Sequence, residues 1–141
     1  MRFMFIRKAD AETEAGIMPS EDLLRDMGNY NEQMVNAGIM RGGEGLHPSS
    51  KGAIVRFVDG KATVIDGPFS ESKELIAGFT EIEVGSKDEA LAWARRWPAS
   101  DAHGNVRIEV RQVHDLEDFG DAISPDVVER EQQLRDRLSS Q

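Results

Sequence analysis

Two ionisable side chains stand where this sequence has to turn. Asp66 opens the stretch DGPF, residues 66–69, in which a strand-like apolar run stops and a Gly-Pro pair redirects the chain. His47 follows a glycine-rich stretch and directly precedes a proline. A carboxyl group shielded from water has a raised pKa and accepts a proton near neutral pH, and a histidine within hydrogen-bond reach completes an orienter and base. Asp66 and His47 are therefore the candidate catalytic pair, suited to elimination, isomerisation or hydrolysis.

Both residues also have a plainer explanation. An aspartate before Gly-Pro can bond its own backbone two residues on and so fix the turn. A histidine in a loop is ordinarily a solvated surface group. The separation of Asp66 and His47 discriminates between these hypotheses: contact at about 3 Å in a closed pocket favours chemistry, whereas a wide gap in solvent favours ligand binding or a scaffold role.

Four other side chains are candidates to bind a ligand beside this pair. Phe69 would keep water from Asp66, unless it only plugs the core. Arg56 would clamp a carboxylate, unless it is a surface partner across strands. Tyr30 would send its hydroxyl into the pocket, although a satisfied core tyrosine is the default. Lys73 would attract an anionic ligand, but its acidic neighbours favour an exposed one-turn helix with a local ion pair.

The sequence indicates neither a metal nor a cofactor. It contains no cysteine, and its three histidines show no His-x-x-x-His or similar spacing. His47 with Asp66 and Glu44 would make an oxygen-rich set without such spacing. The glycine-rich stretch 42–45 lacks the Gly-Lys-Ser ending of a phosphate loop, so it indicates a bulge or a close backbone approach instead.

Length and charge narrow the class of protein. The chain has 141 residues, which suits one domain whose core needs no disulfide or metal to fold. Its net charge of −9 disfavours a surface for nucleic acid or an anionic membrane. The apolar run at the N-terminus is too short for a signal peptide or a membrane span, so we expect a cytoplasmic protein.

A hairpin is the clearest local signal. The β-rich runs 53–58 and 61–65 are separated by an Asp-Gly pair alone, which is the two-residue turn whose positive φ angles match the twist of strands. The register of such a hairpin brings Asp66 beside Ala53 at its open end.

The remaining segments alternate between strands and helices. Serines are the predicted N-caps of three helices, and a polar linker containing Gly16 and Pro19 leads from the first strand to Ser20. Strands are predicted at 1–7, from 39 into the glycine-rich bend, at 79–84 and at 106–113, and the helices follow Ser20, Ser86 and Ser124.

This order predicts an α+β protein with a ferredoxin-like βαββαβ core and an added hairpin, in which an antiparallel sheet carries both helices on one face. Both faces of the first strand are apolar, so a monomer would expose an apolar sheet, and we infer a homodimer. The predicted domain is 1–115, and 116–141 is an acidic extension with a helix.

The motifs, taken in order, resemble the YCII-related family in its branch known for the DGPF motif. The resemblance covers residues 1 to about 113. It is carried by Val55-Arg56, Asp59-Gly60, DGPFSESKE at 66–74, Gly78-Phe79, Asp88-Glu89-Ala90 with Trp93-Ala94 and Pro98, and Ile108-Glu109-Val110-Arg111.

The resemblance implies a fold that dimerises into an α+β barrel with a pocket in each subunit. Some small members of the family are thought to use a His-Asp pair, with the histidine on the first helix, in dehydrochlorinase-type chemistry. This chain has no histidine between 20 and 36, so that pair is not carried over.

Two hypotheses about function follow. The first is a homodimer with a small-molecule pocket near Asp66 and His47, acting as a lyase or isomerase. The alternative is a dimeric ligand-binding or regulatory module without catalysis, which the resemblance connects with transcription or stress systems.

Overall fold

The structure, a computed structural model, describes residues 1–70 and 74–141. The helices are α1 (Ala11–Glu14), α2 (Glu21–Asn36), α3 (Lys87–Ala94) and α4 (Pro125–Ser139). The strands are β1 (Arg2–Lys8), β2 (Met40–Gly45), β3 (Ala53–Val58), β4 (Lys61–Asp66), β5 (Ile76–Glu83) and β6 (Ile108–Gln112).

Four of the strands form one antiparallel sheet in the order β2-β5-β1-β6. The predicted α+β class is confirmed at this level. At β2, the register shifts between Met40 and Gly42, and a Cβ on Gly43 would lie 2.9 Å from the Phe79 carbonyl oxygen. The glycine-rich stretch is therefore both a bulge and a close backbone approach, as its sequence indicates.

The core lies between one face of this sheet and helices α2 and α3. Phe3 and Phe5 alternate along β1 and are buried, because residues two apart in a strand share a face. They meet Met34 of α2 and Ala90 of α3, both completely buried. Side chains of β1 that point the other way, such as Met4 and Ile6, are only half-buried.

Serine residues begin the two core helices, as predicted. The Ser20 hydroxyl accepts a hydrogen bond from the Leu23 amide at 3.1 Å. Ser86 does the same for the amide of Glu89, also at 3.1 Å. The Glu89 carboxylate reaches back to the Gly85 amide, one residue before the amide that a standard capping box predicts.

The predicted hairpin forms a separate two-stranded sheet. Strands β3 and β4 pair with Asp66 opposite Ala53, and the turn residues Asp59 and Gly60 have positive φ angles of 50° and 78°. Every residue of both strands is exposed. The hairpin is therefore an arm that projects from the body of the molecule.

Three predictions about segment boundaries need correction, the first being that the strand predicted at 79–84 covers Ile76–Glu83. The polar segment before Pro19, read as a linker, contains the short helix α1, which Asp10 caps through the Thr13 amide. The last core strand covers Ile108–Gln112 rather than 106–113. Helix α4 begins after Ser124, as predicted, and none of its residues is buried.

Candidate functional site

The DGPF corner lies directly after β4, where the chain leaves the hairpin. The Gly67 amide donates to the Gly52 carbonyl at 3.0 Å, so the corner closes the base of the arm. A Cβ on Gly67 would lie 1.8 Å from the Ser49 carbonyl oxygen, far inside any tolerated contact. Residue 67 must therefore be glycine, because two backbone segments meet there.

Ser49 connects this corner to α1. Its hydroxyl donates to the Glu14 carboxylate at 2.5 Å and accepts from the Phe69 amide at 3.0 Å. The Ser49 amide donates to the other oxygen of Glu14, also at 3.0 Å. Sequence reasoning missed both Ser49 and Glu14, because neither belongs to a motif and the two are 35 residues apart.

Asp66 does not fix the turn. Its side chain is exposed at the end of β4, and no hydrogen bond or ion pair joins its carboxylate to another residue of the ranges 1–70 and 74–141. The plainer explanation of Asp66, a bond to its own backbone, is therefore wrong for this structure. Gly67 and Ser49 hold the corner instead, and the carboxylate of Asp66 is left for another partner.

His47 lies on the segment between β2 and the 3₁₀ turn Ser49–Lys51, and its side chain is exposed. Within the part of the chain that the structure describes, His47 and Asp66 share neither a hydrogen bond nor an ion pair. One copy of the chain thus presents both groups to solvent and does not bond them to each other.

The other predicted ligand-binding residues are spread over the fold. Phe69 is half-buried in the corner, and Arg56 is exposed on β3 opposite Thr63. Tyr30 is buried, and its hydroxyl donates to the Trp93 carbonyl at 2.7 Å, as a satisfied core tyrosine does. Lys73 lies outside the described residues.

Among the hollows of the described surface are two shallow ones that residues of the DGPF corner do not line. One, of about 300 Å³, is bordered by Asp10, Glu12 and His103. The other lies beside His114 and Asp118. Neither is lined by the candidate catalytic pair.

Side chains that would hold a metal do not cluster in the described part of the chain, where no group of three or more His, Cys, Asp or Glu is suitably arranged. Within the same residues, every helix is too short or too polar to cross a membrane.

A buried ion pair that the sequence did not reveal anchors β1. Arg7 lies 2.6 Å from Asp101, and the Trp97 indole donates to the same carboxylate at 2.9 Å. Burial opposes the charge of Arg7, but its hydrogen bonds and charge interactions with Asp101 and Asp10 outweigh burial and raise the pKa of the guanidinium. Because all these groups satisfy one another, the cluster has a structural role.

Comparisons with known proteins find chains that are similar to this one. An uncharacterized protein of Rhizobium meliloti (strain 1021) is 39% identical over 75 residues, which are 53% of this chain and 60% of the relative. The chain thus matches less than two thirds of that protein's length. The 5-chloro-2-hydroxyhydroquinone dehydrochlorinase from Burkholderia phenoliruptrix AC1100, solved in complex with 2,5-dihydroxybenzoquinone, is 19% identical with a TM-score of 0.41, over 82% of this chain and 96% of that chain.

A family model gives the broadest match along the chain. The model of the YCII-related domain matches residues 1–117, from β1 to just beyond β6, and so includes the sheet, the arm and the DGPF corner. The chain therefore belongs to the family of YCII-related domains.

Proposed function

We propose that this chain acts as a homodimer of the DGPF branch of its family, with a small-molecule pocket beside Asp66 that the second copy completes. One observation carries the proposal: Asp66 has no partner among the described residues, and the apolar arm that leads to it is exposed. A carboxylate at the foot of an apolar surface acquires a function when something covers that surface.

The sheet supports the dimer. Its face away from the helices has an apolar centre made of Met4, Ile6 and Phe79, of which Ile6 and Phe79 are directly paired. Charged residues surround this centre, as at the rim of protein interfaces. The strand order β2-β5-β1-β6 agrees with a ferredoxin-like arrangement, and two such sheets packed face to face would make the dimeric α+β barrel.

The chemistry that suits this site is elimination or isomerisation. Asp66 would accept a proton from the ligand, and His47 would orient or share it. Covering the corner would remove water from the carboxylate, and a carboxylate without water is a stronger proton acceptor. We also propose that the protein is cytoplasmic, as the sequence predicts.

A second candidate function is ligand binding without catalysis. The observation that favours it is the lack of a hydrogen bond or ion pair between His47 and Asp66 among the described residues, because a base and its orienter should be within hydrogen-bond reach. In that case the corner would contribute only a hydrogen-bond acceptor to a regulatory pocket.

A thermal-shift screen tests the pocket. Small aromatic and carboxylate metabolites are added to the wild-type protein, and a ligand is recognised because it raises the unfolding midpoint. Molecules that raise it are then assayed for conversion to product. Conversion supports the lyase or isomerase reading, and stabilisation without conversion supports the regulatory one.

The isosteric change Asp66→Asn tests the proton acceptor. We expect this variant to lose turnover while keeping nearly all of its affinity, since an amide accepts a hydrogen bond but not a proton at neutral pH. Asp59→Asn, the same change at the exposed hairpin turn, is the matched control and should retain turnover. Turnover retained by Asp66→Asn would remove the assigned role. Sedimentation as a single monomeric particle at micromolar concentration would remove the dimer.

A further inference from the structure

Helix α1 is joined to the rest of the fold through acidic side chains. Asp10, its N-cap, lies 3.2 Å from Arg7 of β1. Glu12, in the helix itself, lies 3.0 Å from the ring of His103. A helix of four residues is not stable alone, so these contacts hold α1 in place. The third carboxylate, that of Glu14, is the one that reaches the DGPF corner.

The Glu14 carboxylate accepts both hydrogen-bond donors of Ser49. The amide of Ser49 donates to one oxygen at 3.0 Å, and its hydroxyl donates to the other at 2.5 Å. Because an ionised carboxylate only accepts, it fixes the hydroxyl proton on its own side and leaves the hydroxyl oxygen free for another donor. That donor is the Phe69 amide, at 3.0 Å. Glu14 therefore determines how Ser49 faces the corner.

Ser49 in turn holds the corner at two points. Its hydroxyl accepts from the Phe69 amide, and its carbonyl oxygen is so close to Gly67 that a Cβ there would be 1.8 Å away. Asp66 directly precedes these two points, and its side chain is exposed at the end of β4. The backbone path at 67–69 thus sets the direction in which residue 66 presents its carboxylate.

We infer that Glu14 is the positioning residue of the Asp66 site. It acts through Ser49 and not on the ligand, and it lies outside the DGPF motif, on a different element of the fold. The inference rests on the proposed function for the role of Asp66 and adds a residue on which the reaction depends. A base accelerates a reaction only while it is held in the right geometry, so loosening the corner should reduce the rate.

Hydrogen exchange of single amides in deuterium oxide tests the positioning. Ser49→Ala removes the acceptor of the Phe69 amide, so exchange of this amide should become about tenfold faster. Ser49→Thr keeps a hydroxyl and should restore the wild-type rate. Glu14→Gln should make the exchange about fivefold faster, because a side-chain amide has one acceptor oxygen and cannot accept from both donors of Ser49.

Glu12→Gln, the same change on the same helix, is the matched control. The side chains of Glu12 and His103 are 52% and 79% exposed, so their pair contributes little, and the Phe69 amide should exchange within about twofold of the wild-type rate. The Leu46 amide, whose bond does not involve Ser49, should be unaffected in all four variants. Equal acceleration at residues 46 and 69 would mean general loosening and would overturn the positioning role.

Kinetics connect the corner to the reaction. For a molecule that the thermal-shift screen identifies and the protein converts, Glu14→Gln should lower kcat about tenfold or more and change KM by less than about twofold. An unchanged kcat beside a faster Phe69 amide would overturn the inference, since the reaction would not depend on the corner.

The two measurements separate the possible failures. An unchanged exchange rate of the Phe69 amide in Glu14→Gln would overturn the inference and leave the proposed function intact. If the wild-type protein converts none of the molecules, the proposed lyase or isomerase fails, and the exchange rates still decide whether Glu14 positions the corner.

Discussion

The absorbance of Tyr30 reports on the ionisation of one known residue, because Tyr30 is the single tyrosine of the chain. Burial raises the pKa of its hydroxyl to about 12, against the smaller opposing effect of Arg96. A tyrosine in an unfolded chain titrates at about pH 10, as it does in a free peptide. The folded state therefore binds the phenolic proton more tightly than the unfolded state.

The sign of the pH dependence follows from that raised pKa. The stability contributed by the neutral phenol is fully present below about pH 10 and is lost as the pH rises through the folded pKa. We expect the free energy of unfolding to fall between about pH 10 and pH 12, measured by denaturant titration. Tyrosinate absorbance of the native protein should appear only near the upper end.

Tyr30→Phe is the control for this titration. It keeps the ring but has no proton to lose, so the part of the alkaline decline due to residue 30 should vanish. If the tyrosinate absorbance of the native protein appeared at about pH 10, the hydroxyl of Tyr30 would not be buried.

Gly67 decides the geometry of the corner, and alanine tests it. The added methyl group would overlap the Ser49 carbonyl oxygen, which is backbone and has no rotamer to escape. We expect Gly67→Ala to lower the free energy of unfolding by about 3 kcal/mol or more.

The control for Gly67 is Gly28→Ala in α2, where a Cβ meets nothing within 4 Å. That change should raise the free energy of unfolding by about 0.5 to 1 kcal/mol, because alanine favours a helix. Chemical denaturation of both variants measures the contrast. Similar effects at the two positions would show that the corner is looser than described.

Sequence reasoning recognised the DGPF corner but credited the wrong residue with holding it. A Gly-Pro pair after a strand predicts a turn from local rules alone. That Gly67 lies against Ser49 is a tertiary fact, since 18 residues separate them and no periodicity links them. The same limit hid Glu14, whose importance comes only from the position of α1.

At the scale of elements, the sequence predicted the features that depend on neighbouring residues alone, namely turns and helix N-caps. The Asp-Gly turn fixed the hairpin register, and Ser20 and Ser86 marked the starts of α2 and α3. Helix α1, of four residues, is too short to show a periodic pattern, so the sequence does not reveal it. Contacts between elements that are distant in sequence, such as the ion pair that joins Arg7 of β1 to Asp101 after α3, have no local signal in the sequence.

The ion pair between Arg7 and Asp101 holds those distant elements together. Its side chains are only 10% and 6% exposed. Asp101→Ala leaves a buried guanidinium without its main partner, so we expect a loss of about 3 to 5 kcal/mol in the free energy of unfolding. Denaturant titration checks the value.

The exposed pair of Glu21 with Arg25 provides the matched control, since its side chains are 84% and 66% exposed. Glu21→Ala should change the free energy of unfolding by less than about 1 kcal/mol. Comparable losses in the two variants would mean that burial does not govern the strength of these pairs here.

At the scale of the whole molecule, the chain divides into a packed body, an arm and a tail. The body buries one face of its sheet under α2 and α3, while the arm is exposed and the apolar centre of the other face is half-buried. The sequence predicted an uncovered sheet, because β1 is apolar on both sides. It did not predict that the hairpin would stand apart from the sheet, since strand propensity is the same in either position.

The tail should be dispensable for folding. No residue of α4 is buried, and the family match ends at residue 117, close to the predicted boundary at 115. We expect a chain ending at Ile123 to unfold within about 0.5 kcal/mol of the full chain, since no buried residue is removed. A chain ending at Arg107 is the control: it lacks β6, which pairs with β1 along five residues and brings Ile108 and Val110 to the core, so it should fail to fold cooperatively. Calorimetry of the two truncated chains distinguishes a tail that only extends the domain from one that completes it. A large loss of stability in the longer chain would show that α4 packs on the body or on a second copy.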